Sequence, residues 1–228
     1  VTNNATLSRA QKLFIFDDAE RAGNSITVHS GSTLTTTGNG NTIFTDGAEL
    51  TITNSGTIST STNKSKAINI SKSDNVSITN NSGGVIRSGG NTILGTTSPG
   101  SDNTTIVNSG QIISTNSASA SSAIIVSDND SGTTITNNSG GEITSKGNKG
   151  TIIVGVSSTI TNSGTIKNKN LDKNAIQLKG NKGTIIVGVS STITNSGTIK
   201  NSNLDKNAIQ LKVNNNTITL KDQGLVIG

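Results

Sequence analysis

The sequence predicts an all-β protein, a single-stranded parallel β-helix of right-handed winding, with about seven or eight coils of 24–33 residues. Three observations predict it. A short corner motif recurs along the chain, a second apolar element recurs between the corners, and one long stretch is repeated almost letter for letter. Internal repeats of this length mark architectures in which each unit buries its apolar side chains only by stacking on its neighbours.

The corner motif is "ITNSGTI" at Ile52, "ITNNSGGVI" at Ile78, "IVNSGQI" at Ile106, "ITNNSGGEI" at Ile135, and "ITNSGTI" again at Ile160 and Ile193. Its glycines, taken as Gly56, Gly83, Gly110, Gly140, Gly164 and Gly197, are separated by 27, 27, 30, 24 and 33 residues. Ile-Thr-Asn alternates as a half-buried strand does. Asn and Gly accept left-handed backbone angles and Ser bonds neighbouring backbone, so the motif reads as strand, sharp corner, strand. Hairpins would favour two-residue Asn-Gly or Asp-Gly turns, which occur only at Asn39-Gly40 and Asp46-Gly47. The intervening elements are "AINI" at Ala67, "NTIL" at Asn91, "AIIV" at Ala123, "TIIV" at Thr151, and "AIQL" at Ala175 and Ala208. Leucine-rich spacing and helical periodicity are absent, and the intervals fall short of a propeller blade.

Composition agrees. Hydrophobic residues make up only 29% and aromatics 1%, which alone would suggest disorder, yet charged residues are just 14% and Ile, Val and Thr recur throughout. Inward Ile, Val, Leu and Ala would form a thin core, with Thr, Asn, Ser and Lys facing water. The front, residues 1–24, carries "KLFIFDDAERAGN" with two of the three Phe, and reads as a capping segment or the end of a preceding region. Residues 25–228 read as the β-helix.

Within it, 146–212 contains a tandem 33-residue duplication: Gly150 to Lys179 returns as Gly183 to Lys212, with Lys169 replaced by Ser202. Identical neighbouring coils should align into a surface ladder of Asn162 with Asn195, Thr165 with Thr198, Lys167 with Lys200 and Lys173 with Lys206. The like-charge rungs cost a few tenths of a kcal/mol. "AIQLKGNKGTIIV" holds two apolar elements in one interval and predicts an extra strand or side of the coil.

Little points to catalysis. His29 is the sole His, and no G-x-S-x-G elbow accompanies it. The acid-containing runs "SDN" at Ser73 and Ser101 and "SDND" at Ser127 have ordinary turn composition. The expectation is a non-enzymatic chain with no cofactor, no metal and no small-molecule substrate. From Lys146 to Lys212 ten Lys face two acids, Asp172 and Asp205, within a net charge of +5. That excess reads first as a solvated face, and second as attraction to anionic glycans. Few Arg and no stacking aromatics in that region argue against nucleic acid. A Thr face suited to ice or mineral would have to be evenly spaced, and the irregular intervals argue against one.

The "ITNSGTI" corners, the Thr/Asn/Ser-rich composition, the lack of Cys and the tandem duplication resemble the passenger domains of Gram-negative autotransporters, including self-associating adhesins. The resemblance implies export as an unfolded chain, a place at the cell surface, membrane attachment through a C-terminal barrel outside this sequence, and adhesion to like cells or host surfaces. A passive stalk is the alternative it leaves open, with a polysaccharide lyase or hydrolase behind it.

Overall fold

A computed structural model describes residues 6–16, 23–46, 49–71, 73–95, 102–117, 121–147, 151–169, 176–178, 192–201, 208–211 and 216–227. Every described regular element is a strand, and all pairings between strands are parallel. The chain is a parallel β-solenoid whose circuit visits three sheets in turn.

Sheet A takes nine strands in sequence order: Thr6–Arg9, Thr33–Thr36, Thr57–Thr60, Val85–Ser88, Gln111–Ser114, Glu142–Ser145, Thr165–Asn168, Thr198–Asn201 and Leu225–Ile227. Sheet B takes eight: Phe14–Phe16, Ile43–Thr45, Ile68–Asn69, Ile93–Gly95, Ile124–Ser131, Ile152–Val156, Ile176–Leu178 and Ile209–Leu211. Sheet C takes the remaining eight: Asn24–Val28, Leu50–Asn54, Ser77–Asn80, Thr105–Asn108, Thr134–Asn137, Thr159–Asn162, Thr192–Asn195 and Thr217–Leu220. Each strand is only two to eight residues long, so no rung could stand alone and stability comes from stacking.

The core is built on three long columns of Ile, one per sheet, with Ile70, Val126 and Val154 among the other aliphatic side chains packed between them. Ile52, Ile78, Ile106, Ile135, Ile160 and Ile193 stack in sheet C; Ile58, Ile86, Ile112, Ile143, Ile166 and Ile199 stack in sheet A; Ile43, Ile68, Ile93, Ile124 and Ile152 stack in sheet B. All of them are fully buried. β-branched side chains stack well between identical neighbours, because a single χ1 well serves every rung.

Polar side chains are not confined to the surface, contrary to the sequence expectation. Thr42, Thr92 and Thr151 are fully buried just before their sheet B strands. Each hydroxyl donates to a sheet A carbonyl: Thr42 to Ser59 (2.6 Å), Thr92 to Ile113 (2.8 Å) and Thr151 to Lys167 (2.9 Å). Ser88, Ser114, Ser145 and Asn168 form another fully buried column where sheet A strands end. With little volume available inside so narrow a coil, small side chains that bond the backbone satisfy groups the corners leave unpaired.

The connection from sheet C to sheet A holds either two or four residues at every corner. In the long corners Gly83 and Gly140 adopt φ of +79° and +81°. The glycines that align through the stack are Gly56, Gly84, Gly110, Gly141, Gly164 and Gly197. Their reason is space: a Cβ on Gly110 would lie 2.2 Å from the Gly84 carbonyl oxygen, and one on Gly197 2.2 Å from that of Gly164. The alignment through Gly83 and Gly140 is thereby corrected by one residue, since the second glycine of "SGG" is the one under the neighbouring rung.

The front segment is continuous with this architecture. Thr6–Arg9 pairs in register with Thr33–Thr36, Phe14–Phe16 pairs with Ile43–Thr45, and Asn24–Val28 opens sheet C. Leu7 and Ile15 at this end are 41% and 52% exposed.

The two copies of the duplication align strand on strand, Thr159–Asn162 with Thr192–Asn195, Thr165–Asn168 with Thr198–Asn201 and Ile176–Leu178 with Ile209–Leu211. The additional residues of the longest interval lie between Leu178 and Thr192. The expected extra strand falls on 179–191, outside the described residues.

Candidate functional site

The expected ladder separates into an inside and an outside part. Asn162 and Asn195 occupy one column, as expected, but both are fully buried. The expectation that they lie on the surface is therefore corrected. Each ends a sheet C strand and turns inward at the corner, where a two-sided carboxamide can bond both along and across the stack.

They belong to a run of six: Asn54, Asn80, Asn108, Asn137, Asn162 and Asn195. The Nδ2 of each donates to the Oδ1 of the next at 2.8, 2.8, 2.8, 2.8 and 2.7 Å. Each Nδ2 also donates to the carbonyl of its own corner glycine, as in Asn108 to Gly110 (3.1 Å), and to the carbonyl one rung on, as in Asn108 to Glu142 (3.3 Å). At the first rung the Asn54 Oδ1 accepts the Gly56 N–H (3.3 Å). Val28 and Leu220 hold the same register on either side of the run, so apolar side chains end it.

Thr165 and Thr198 are in register on the outer side of sheet A, half-buried, and Lys167 and Lys200 are in register beside them. The like-charge rung is therefore present. Below it lies Thr144 and above it Ile227, so among the described residues the Lys column is two rungs long. Lys173 and Lys206 lie outside the described residues, as does Ser202; Lys169 is exposed.

The three outer faces differ in chemistry. Sheet A's is mixed, with Arg87, Gln111, Glu142, Lys167 and Lys200 among Thr and Ser. Gln111 Nε2 donates to Glu142 Oε2 (3.4 Å), and Thr144 Oγ1 to Glu142 Oε1 (2.7 Å). Sheet B's outer side carries Leu94, Ile125 and Ile153, at most 8% exposed and packed on one another. Sheet C's outer face is uniform, and sequence reasoning missed it. Its strands read "SIT", "TIT", "SIT", "TIV", "TIT", "TIT", "TIT" and "TIT", from Ser25 to Thr219, with the Ile buried in all but the last. The signal is the Ser or Thr one residue before the Ile that opens each corner motif, on the same face as the residue after it.

No catalytic constellation forms among the described residues. His29 sits exposed at the corner after Asn24–Val28, where its carbonyl accepts the Ser32 N–H. Asp74-Asn75 and Asp102-Asn103 of the two SDN runs stack on each other: Asp74 Oδ1 accepts the Asp102 N–H (2.9 Å), and Asn75 and Asn103 both take φ of 56°. Asn75 Nδ2 in turn donates to Glu49 Oε1 (3.1 Å). The side chains of Asp128 and Asp130 lie outside what is described. No group of three His, Cys, Asp or Glu suited to a metal occurs among the described residues. A cleft of about 620 Å³ at the N-terminal rung is lined by Arg9, Lys12, Ile15 and Asn39 with neighbouring backbone, and the Lys12 ammonium lies 3.8 Å from the Phe44 ring centre.

Fold and surface thus define a parallel β-solenoid with repetitive polar faces. No protein-family model matches the chain, nor does any curated protein or solved structure.

Proposed function

We propose that this chain is a non-enzymatic, surface-exposed segment of a secreted or outer-membrane-anchored bacterial protein, acting in adhesion or cell–cell self-association. One observation carries the reading. Side chains of one kind recur in register from rung to rung, as Thr159 over Thr192 and Lys167 over Lys200 do, so any contact made once is offered again at about 4.8 Å intervals. Weak hydrogen bonds and charge contacts then add through avidity, with no deep pocket required. The partners that fit are another copy on a neighbouring cell, a host surface, or an anionic glycan facing the Lys-rich half. The resemblance of the "ITNSGTI" corners to autotransporter passengers supports an extracellular setting, with the membrane reached through a barrel outside this sequence.

The test is deletion of the solenoid in cells that display it, followed by clumping and host-attachment assays above freezing. Loss of either activity is expected; unchanged clumping together with unchanged attachment removes the proposal. The strand-on-strand alignment of the duplicated copies favours a stalk as the second reading. A stalk predicts that adding or removing one copy alters reach and leaves binding unchanged.

A further inference from the structure

The outer face of sheet C is a two-column lattice. One column is Ser25, Thr51, Ser77, Thr105, Thr134, Thr159, Thr192 and Thr217; the other is Thr27, Thr53, Thr79, Val107, Thr136, Thr161, Thr194 and Thr219. Thirteen of these sixteen positions are Thr, two are Ser and one is Val, and all are exposed or half-buried. Along the stack the repeat is about 4.8 Å, and across it two residues of strand span about 6.6 Å. Neither sheet A nor sheet B has such a face: sheet A carries charges of both signs, and sheet B a packed apolar cluster.

The irregular intervals of 24 to 33 residues do not disturb this lattice. Length varies in the loops leading into and out of sheet B, while every sheet C pairing keeps register from Asn24 to Leu220. The asparagine run at the end of these strands keeps its rung-to-rung hydrogen bonds at 2.7–2.8 Å, and flat many-stranded sheets are typically stabilised by side-chain ladders of this kind. Thr side chains are stiff at χ1, so identical neighbours present methyl and hydroxyl in the same pattern from rung to rung.

We propose that this face binds ice. Its two repeats lie close to those of water oxygens along the a and c axes of hexagonal ice, and methyl and hydroxyl groups can occupy that lattice together. A charged group would hold its hydration water in a different orientation, and none of the sixteen positions is charged. An aromatic platform or an acidic or basic patch, as a glycan or protein partner would favour, is also missing from these positions. The inference names a ligand for one face of the exposed solenoid proposed above; it requires that face to be accessible but does not require cell clumping.

The experiment uses the whole chain, fluorescently labelled, with a growing single-crystal ice hemisphere and measurement of the gap between melting and freezing points. Wild type should label the ice and open that gap. Thr136→Lys and Thr161→Lys, at the centre of the lattice, should each lose most of both signals, while Gln111→Lys on sheet A should keep them. Circular dichroism and melting temperature verify that each variant folds, and the wild-type arm decides alone if one does not. Exclusion of wild type from ice overturns the proposal, as does equal loss in Gln111→Lys. So does a chain that self-associates through Thr136 and Thr161 above freezing and leaves ice unlabelled, since the face then stacks copies. Ice labelling with no part in cell clumping or host attachment leaves the inference standing and removes the adhesive reading; clumping or attachment without labelling does the reverse.

Discussion

Asn137 is held from both sides: its Oδ1 accepts from Asn108, and its Nδ2 donates to Gly141, Asn162 and Thr165. The Asn195 Oδ1 likewise accepts, from Asn162, but Asn195 ends the run, with only backbone acceptors at Gly197 and Leu225 beyond it. Replacing Asn137 by Leu leaves the Asn162 Oδ1 buried without its donor, whereas the same change at Asn195 extends the apolar stop that Leu220 already supplies. An orphaned buried acceptor costs about 1–3 kcal/mol. Asn137→Leu should therefore destabilise by about that much more than Asn195→Leu, as read from denaturant unfolding of the two variants. Equal losses would mean that the carboxamides are not coupled through the run. At the same corners Gly110 answers to a different constraint from Gly83, because a neighbouring carbonyl occupies the place of its Cβ whereas Gly83 has nothing within 4 Å.

Strands of two to eight residues gain independence from their loops in this fold. The corner from sheet C to sheet A is fixed at two or four residues, while the chain between sheets B and C ranges from two residues to thirteen. A deletion that respects the rungs should therefore be tolerated. Removing residues 163–195 joins Asn162 to Ser196, restores an Asn-Ser-Gly corner and takes out one strand from each sheet. The shortened chain should still unfold cooperatively and lose about 4.8 Å of length, measurable by small-angle scattering. Collapse of the fold would show that the two copies are not interchangeable. Among the described residues, Lys167 over Lys200 is the one like-charge rung this deletion removes, which offsets a few tenths of a kcal/mol of the lost stacking.

Across the whole molecule, contacts are between nearest rungs, so stability should grade from the middle to the ends. Ile86, Ile112 and Ile143 are fully buried, while Leu7, Ile15, Ile218, Leu220 and Leu225 at the two ends remain 41–55% exposed. Hydrogen exchange should therefore be slowest in the strands Val85–Ser88 to Glu142–Ser145 and fastest in Thr6–Arg9 and Thr217–Leu220. Uniform protection along the chain would indicate one cooperative unit in place of a stack.

How much of this was legible in the sequence depended on the kind of periodicity involved. The corners, the inward Ile columns, the pairing of the two copies and the parallel solenoid class follow from local alternation and repeat spacing, because a strand of period two whose neighbours are copies of itself has one way to bury its Ile. Asn162 and Asn195 could be placed in one column but not on its inner side, since polarity suggested water and only the closed circuit shows a hydrogen-bonding corner within. The glycine register was misread by one residue at "SGG", where one Gly serves the turn and the other the contact with the next rung. The Thr lattice escaped for the opposite reason. Its residues are separated by intervals of 24 to 33 along the chain, and only stacking the sheets, with the length differences absorbed by loops, brings them onto one face.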